Sequence, residues 1–168
     1  MIKLLNILEE INKDRKITFL IGPPASGKST WVSKHSKDSI VISRDNIVDE
    51  LRVKHGWSYS ETFKHPDFQQ NVNQILKRRI NSALSSDRNI VVDMTNMNRK
   101  SRANILDRVP LNYEKNAVVF NVGRGELIKR LEKRKEETGK EVPMNVVDMM
   151  IKRFEPPTKQ EFDNIVEL

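Results

Sequence analysis

Cysteine is absent from the 168-residue chain, which excludes a disulfide framework, a thiolate nucleophile and a thiolate zinc site. Histidine is scarce. His35, His55 and His65 are the three, no two of them at metal-ligand spacing, so a histidine-based metal centre is not expected. Long apolar runs are missing too, and none approaches the roughly 18 residues of a bilayer span. The opening MIKLLNILEEINKDRK does not read as a secretory leader, because Leu4, Leu8 and Ile11 recur at helical spacing between Asn6, Glu9 and Glu10. An amphipathic helix over residues 1–14 is expected there, and a soluble, cytoplasmic protein with no membrane partner. With no internal repeat and no low-complexity linker, residues 1–168 read as a single domain long enough to bury a core.

Acidic residues are outnumbered, 23 against 30 basic ones, for a net charge of +7. That excess suits a polyanionic partner without identifying one.

What is present alternates from end to end. Short apolar runs at residues 16–21 (KITFLI), 39–42 (SIVI), 89–92 (NIVV) and 117–122 (AVVFNV) read as strands, and the tail FDNIVEL as an edge strand. Between them, helical spacing runs from residue 27 onward and over 45–54, 66–85, 101–109, 125–137 and 145–154. Residues 56–59 and 155–158 read as loops. Strands alternating with helices predict an α/β fold: a parallel sheet of about five strands covered by helices on both faces.

The first strand ends in GPPASGKST. Gly22 to Ser29 fits G-x-x-x-x-G-K-[ST] between a strand and a helix, the context that a phosphate-binding P-loop requires. Gly22 and Gly27 let the backbone turn its N–H groups inward around Pro23, Pro24, Ala25 and Ser26, and the helix starting near Lys28 adds its positive end. Lys28 is expected to reach the β- and γ-phosphates of ATP, and the Ser29 hydroxyl to ligate Mg²⁺, with Thr30 beside them.

Ligands of open parallel sheets sit outside the carboxyl ends of the strands. Two aspartates fall there: Asp45, in SRDN with Arg44, and Asp93, in VVDMTN. A kinase with an alcohol acceptor uses a carboxylate to accept the hydroxyl proton and align the oxygen. Each residue also has a plain structural role open to it, a helix cap for Asp45 and a turn for Asp93. Residues 124–141 carry seven basic and five acidic side chains. They form either a solvated helix face or a lid, about 124–144, whose Arg130 or Arg134 meets the transferring phosphoryl group.

GPPASGKSTW, SRDN, VVDMTNMNRKSR and ELIKRLEKR followed by VP, in this order, resemble the polynucleotide 5′-hydroxyl kinases, and RFEPPTKQEFDNIVEL is similar to the segment that closes the kinase domain of the repair-type enzymes. The resemblance covers residues 17–168. It implies a P-loop kinase fold with a helical lid, and transfer of the γ-phosphate of ATP, with Mg²⁺, to a 5′-hydroxyl of DNA or RNA, single-stranded or at an end. It makes Asp45 the general base, Lys28 and Ser29 the phosphate and Mg²⁺ ligands, and Arg134 the lid arginine. Asp93, Asn96 and Arg99 become acceptor-side residues with Arg44, and Pro156 and Pro157 flank the adenine. Phage members carry an arginine three residues after the base, where this chain has Val48; Arg52 is a candidate replacement. No Asp-x-Asp-x-Thr phosphatase block occurs, so end healing by these residues is expected to be kinase only.

Three other readings use the same machinery: a DNA kinase acting on a hydroxymethylated base, a small-molecule kinase, and a regulatory module that hydrolyses ATP slowly. Trp57, Tyr59 and Phe63 suit either base stacking or core packing. Oligomeric state is not legible.

Overall fold

The computed structural model describes residues 13–62 and 64–168. Residues 1–12 of the helix expected over residues 1–14 lie outside them, as does Phe63; residues 13 and 14 are not helical and lead into the first strand.

Strands β1 (Arg15–Ile21), β2 (Ser39–Ser43), β3 (Asn89–Asp93), β4 (Tyr113–Val119) and β5 (Asn164–Glu167) form one sheet in the order β2-β3-β1-β4-β5, parallel throughout. Parallel neighbours need crossover connections, and helices supply them: α1 (Lys28–His35), α2 (Arg44–His55), α3 (Tyr59–Thr62), α4 (Phe68–Leu84), α5 (Arg99–Leu106), α6 (Arg124–Thr138) and α7 (Met144–Lys152). Central β1 is buried on both faces. Ile17, Phe19 and Ile21 pack with Ile80 of α4, Ile105 of α5 and Phe162, while Leu20 points to the opposite side with Trp31 and Val32 of α1. Helices therefore cover both faces, as the alternating pattern predicted. Among the described residues no helix is long and apolar enough to cross a membrane.

Two elements differ from expectation. β4 begins at Tyr113 and ends at Val119, because its polar residues Glu114, Lys115 and Asn116 pair in register with Lys16, Ile17 and Thr18. Ladder partners, not apolarity, set that boundary. The expected loop at 56–59 leads into α3, which opens on a capping box: Ser58 Oγ accepts from the Glu61 N–H, and Glu61 returns a carboxylate to the Ser58 N–H at 2.6 Å.

Among the described residues, Arg102 of α5 is the largest fully buried side chain. Its guanidinium donates to Glu161 (2.8 and 3.1 Å) and to the carbonyls of Asn96 and Glu155 (3.0 and 2.8 Å), pinning the C-terminal segment to the loop after β3. Burial alone would raise the Glu161 pKa, but the bonds and charge of Arg102 outweigh it and hold the carboxyl below its ordinary value. Breaking such a pair strands a buried carboxylate, so Arg102→Ala is expected to cost roughly 3–5 kcal/mol. Urea unfolding checks this; a loss below about 1 kcal/mol, the scale of an exposed pair, would contradict it.

Candidate active site

The carboxyl ends of β1, β2 and β3 share one edge of the sheet. Register sets Leu20, Asp93 and Ser43 side by side, so the loop after β1 and the start of α2 become neighbours. The phosphate loop closes on itself there. Ala25 (φ 62°) and Gly27 (φ 107°) are both left-handed, which turns the chain around Lys28. A Cβ on Gly22 would meet Ser26 Oγ at 2.7 Å and Phe120 Cβ at 3.0 Å, so the backbone approach requires glycine. Lys28 Nζ is buried and donates to the carbonyls of Gly22 (2.9 Å) and Pro23 (2.7 Å). Burial lowers its pKa to about 8, against the charges of Asp93 and Asp45 that raise it, while Arg134 lowers it further.

Asp45 does not cap its helix. Ser43 does: its Oγ accepts from the Asn46 N–H, at 3.4 Å. That leaves the Asp45 carboxylate, in the first turn of α2, to receive Arg134 Nη2 of α6 at 3.1 Å. Arg130, one turn earlier, instead pairs with Glu126 at 2.8 Å and reaches the Ala25 carbonyl at 3.5 Å. Helical spacing left the two arginines equivalent; the fold puts one on the carboxylate and the other on the phosphate loop. α6 and α7 pack through Leu127, Leu131 and Val147 against Ala25, and Lys140, just after α6, bonds Asp49 of α2. This segment covers the loop from one side. Asp93 closes the set at the end of β3, its pKa raised by burial, lowered by the charge of Lys28 and raised again by that of Asp45.

Ala25, Lys28, Asp45, Asp93, Arg134 and Lys140 line one cleft of about 1250 Å³, which Ser29, Thr30, Arg44, Tyr59 and Asn96 also line. Asn96 sits at φ 50°, a conformation asparagine tolerates. Its Nδ2 donates to Leu20 O at 2.8 Å and more weakly to Val92 and Met94, tying the loop after β3 to β1. Its Oδ1 is buried without a hydrogen-bond partner among the described residues. Arg44 bonds Gln69 Oε1 on α4.

Other expected site residues fall elsewhere. Arg99 is exposed and off the cleft wall, and its backbone N–H donates to Glu155 at 2.6 Å. It opens a helix whose buried face is turned by Arg102, Ile105 and Leu106. Pro156 and Pro157 are not on the wall either, and the Pro156 carbonyl serves Arg102. Val48 lies in the core with Ile47, Phe68 and Val72, and Arg52, the candidate replacement, pairs with Asp49 at 2.8 Å off the cleft wall. Trp57 has no free face for a base, being stacked between His55 (4.4 Å) and His65 (3.7 Å).

A family model described as an AAA domain matches residues 17–157, and the chain belongs to that family. Heterogeneous nuclear ribonucleoprotein U-like protein 2 of Mus musculus is 27% identical over 154 residues, 88% of this chain; the chain spans about a fifth (20%) of that relative's length. Among solved structures, the Pnkp1/Rnl/Hen1 RNA repair complex holds a chain 23% identical with a TM-score of 0.64, covering 83% of this chain and 43% of that one. A putative kinase from Chloroflexus aurantiacus (14% identical, TM-score 0.68) covers 92% and 84%. Shikimate kinase from Acinetobacter baumannii (15%, TM-score 0.59) covers 93% and 85%. The fold is that of P-loop kinases.

Proposed function

We propose that the cleft transfers the γ-phosphate of ATP to the 5′-hydroxyl of a DNA or RNA strand. The observation that carries the reading is the convergence, in one cleft, of the phosphate loop with Asp45 and Arg134 facing it from α2 and α6. A carboxylate opposite a phosphate loop is what an alcohol acceptor needs. The net charge of +7 and the fold likeness to a chain of an RNA repair complex support a nucleic-acid acceptor over a small one.

The residues present fit ATP and Mg²⁺. The loop's left-handed turns and the start of α1 offer backbone N–H groups and a positive helix end to phosphates, and Lys28 supplies the buried cation. Ser29, exposed at the cleft, would hold Mg²⁺ together with the phosphates; no cluster of three acidic or histidine ligands occurs among the described residues, in keeping with a metal carried largely by its substrate. When bound, Mg²⁺ neutralises charge on the phosphates. Asp45 accepts the proton of the acceptor hydroxyl and aligns its oxygen, which requires Arg134 to leave Asp45 for the phosphoryl group. Asp93 lies beside Lys28, placed to steady the lysine and orient the acceptor.

A pH dependence follows from Lys28. The free chain holds this lysine with a pKa of about 8, below the ordinary lysine value of 10.5, so its charge costs stability below pH 8 and the cost fades as pH rises toward 10.5. Phosphates favour the charged form, so ATP binding above pH 8 takes up a proton. The Kd for ATP is expected to weaken up to about tenfold per pH unit above pH 8. Titration calorimetry in buffers of different ionisation enthalpy measures that uptake; a Kd flat from about pH 7 to 9.5 would contradict it.

Acceptor class is tested with a panel: a 5′-hydroxyl oligonucleotide, DNA carrying hydroxymethylated bases, and small alcohols including shikimate, each with γ-labelled ATP. Label in the first alone supports the reading. Label only in the second or third replaces it, and ATP hydrolysis without transfer would leave a regulatory ATPase.

A further inference from the structure

Most of the charge lining the cleft is already spoken for. Lys28 is bonded to loop carbonyls, Arg44 to Gln69, Arg134 to Asp45 and Lys140 to Asp49, while Glu141 is held by Lys135. Among the described residues, Lys77 of α4 and Arg108, just past α5, are the cleft-lining cations whose side chains make no hydrogen bond or ion pair. They share the wall between α4 and α5 with Asn73, Asn98, Ser101 and Asn104, and no carboxylate lines that wall. The start of α5 is not the anion site, because Asn98 Oδ1 and Glu155 already occupy its first N–H groups.

Topology gives their depth. α4 and α5 both return the chain from the carboxyl edge of the sheet, where Asp45, Asp93 and the phosphate loop gather, to the amino edge where β3 and β4 begin. Lys77 lies nine residues beyond Phe68, and Arg108 nine beyond Arg99. At about 1.5 Å of rise per residue, both sit roughly 13 Å from the reacting edge.

We propose that Lys77 and Arg108 form a subsite for an internucleotide phosphate of the acceptor strand, beyond the nucleotide that bears the reacting hydroxyl. The inference rests on the reading of the cleft as a 5′-hydroxyl kinase. The shared chemistry is an anion held by a lysine and a guanidinium. A carboxylate on a small acceptor lies only a few bond lengths from its own hydroxyl, too near to span the depth. A strand does span it: at about 3.4 Å per nucleotide when stacked, the third or fourth phosphate arrives there.

The experiment measures acceptor KM for 5′-hydroxyl strands of two to six nucleotides, in wild type, Lys77→Ala, Arg108→Ala and the double variant. Both side chains are exposed, so their loss does not threaten the fold. In wild type the KM is expected to fall about tenfold or more from dinucleotide to hexanucleotide, and in the double variant that ratio falls toward one. A hexanucleotide with neutral methylphosphonate linkages at its second to fourth positions should lose the same factor in wild type and respond little to the substitutions. The double variant should lower the slope of log affinity against log salt by about 0.7, the single-strand value for one phosphate. A length gain that survives in the double variant, or that ignores linkage charge, overturns the subsite. Shikimate phosphorylated with a KM sensitive to either substitution would make the anion the acceptor's own carboxylate and overturn it too. Failure of the underlying reading looks different: wild type transfers no label to any strand. Binding of an end-blocked fluorescent hexanucleotide then decides the subsite alone, and equal affinity in wild type and double variant overturns it.

Discussion

Asp45→Asn is expected to leave a folded, ATP-binding protein that transfers phosphate about 10²–10⁴-fold more slowly, the range for loss of a general base. Asparagine keeps the shape and still accepts a hydrogen bond from Arg134, but it cannot take the acceptor proton. Stability should barely move. The Asp45–Arg134 pair is well exposed at the carboxylate, and exposed pairs contribute only about 0–1 kcal/mol. Ser43, not Asp45, caps α2, so the helix start survives. Single-turnover transfer, ATP affinity and thermal unfolding measured together isolate the chemical step. Wild-type turnover would remove Asp45 from the role of base, and a large fall in melting temperature would mean that its contribution is structural.

Lys28→Ala is expected to abolish transfer to every acceptor, by at least the roughly 10²–10³-fold that loss of one electrostatic stabiliser costs. Unlike Asp45→Asn, it should also weaken ATP binding, because the ammonium serves the bound phosphates before it serves the transition state. It should not unfold the protein. Burial already depresses the lysine's pKa to about 8, so its charge is held at a cost that its removal relieves, offsetting the hydrogen bonds it gives to the carbonyls of Gly22 and Pro23. Acceptor-independent loss with an unchanged melting temperature is the expected pattern. Surviving transfer would mean that this loop does not hold the reacting phosphates.

Much of this site can be read from the sequence because its parts are local. A phosphate loop is one contiguous turn, and apolar runs of four to six residues bounded by polar ones announce buried parallel strands. What escaped depends on contacts distant in sequence. The polar start of β4 is a strand because β1 lies beside it. Arg102 reads as one more basic residue on a charged helix until Glu161, 59 positions later, folds over it. Trp57 looks available for stacking until His55 and His65 close both faces. Lys77 and Arg108 carry no motif, and only the cleft sets them on one wall. The α3 capping box is the exception: S-x-x-E at Ser58 to Glu61 was visible, and it marked a short helix where a loop was expected.

The most direct measurement pairs two single-stranded oligonucleotides of one sequence, one with a free 5′-hydroxyl and one with that end blocked, with γ-labelled ATP and Mg²⁺. Label is expected to enter the free-ended strand alone and to disappear when Asp45 is replaced by asparagine. Label in neither strand, or equally in both, would contradict a 5′-hydroxyl kinase.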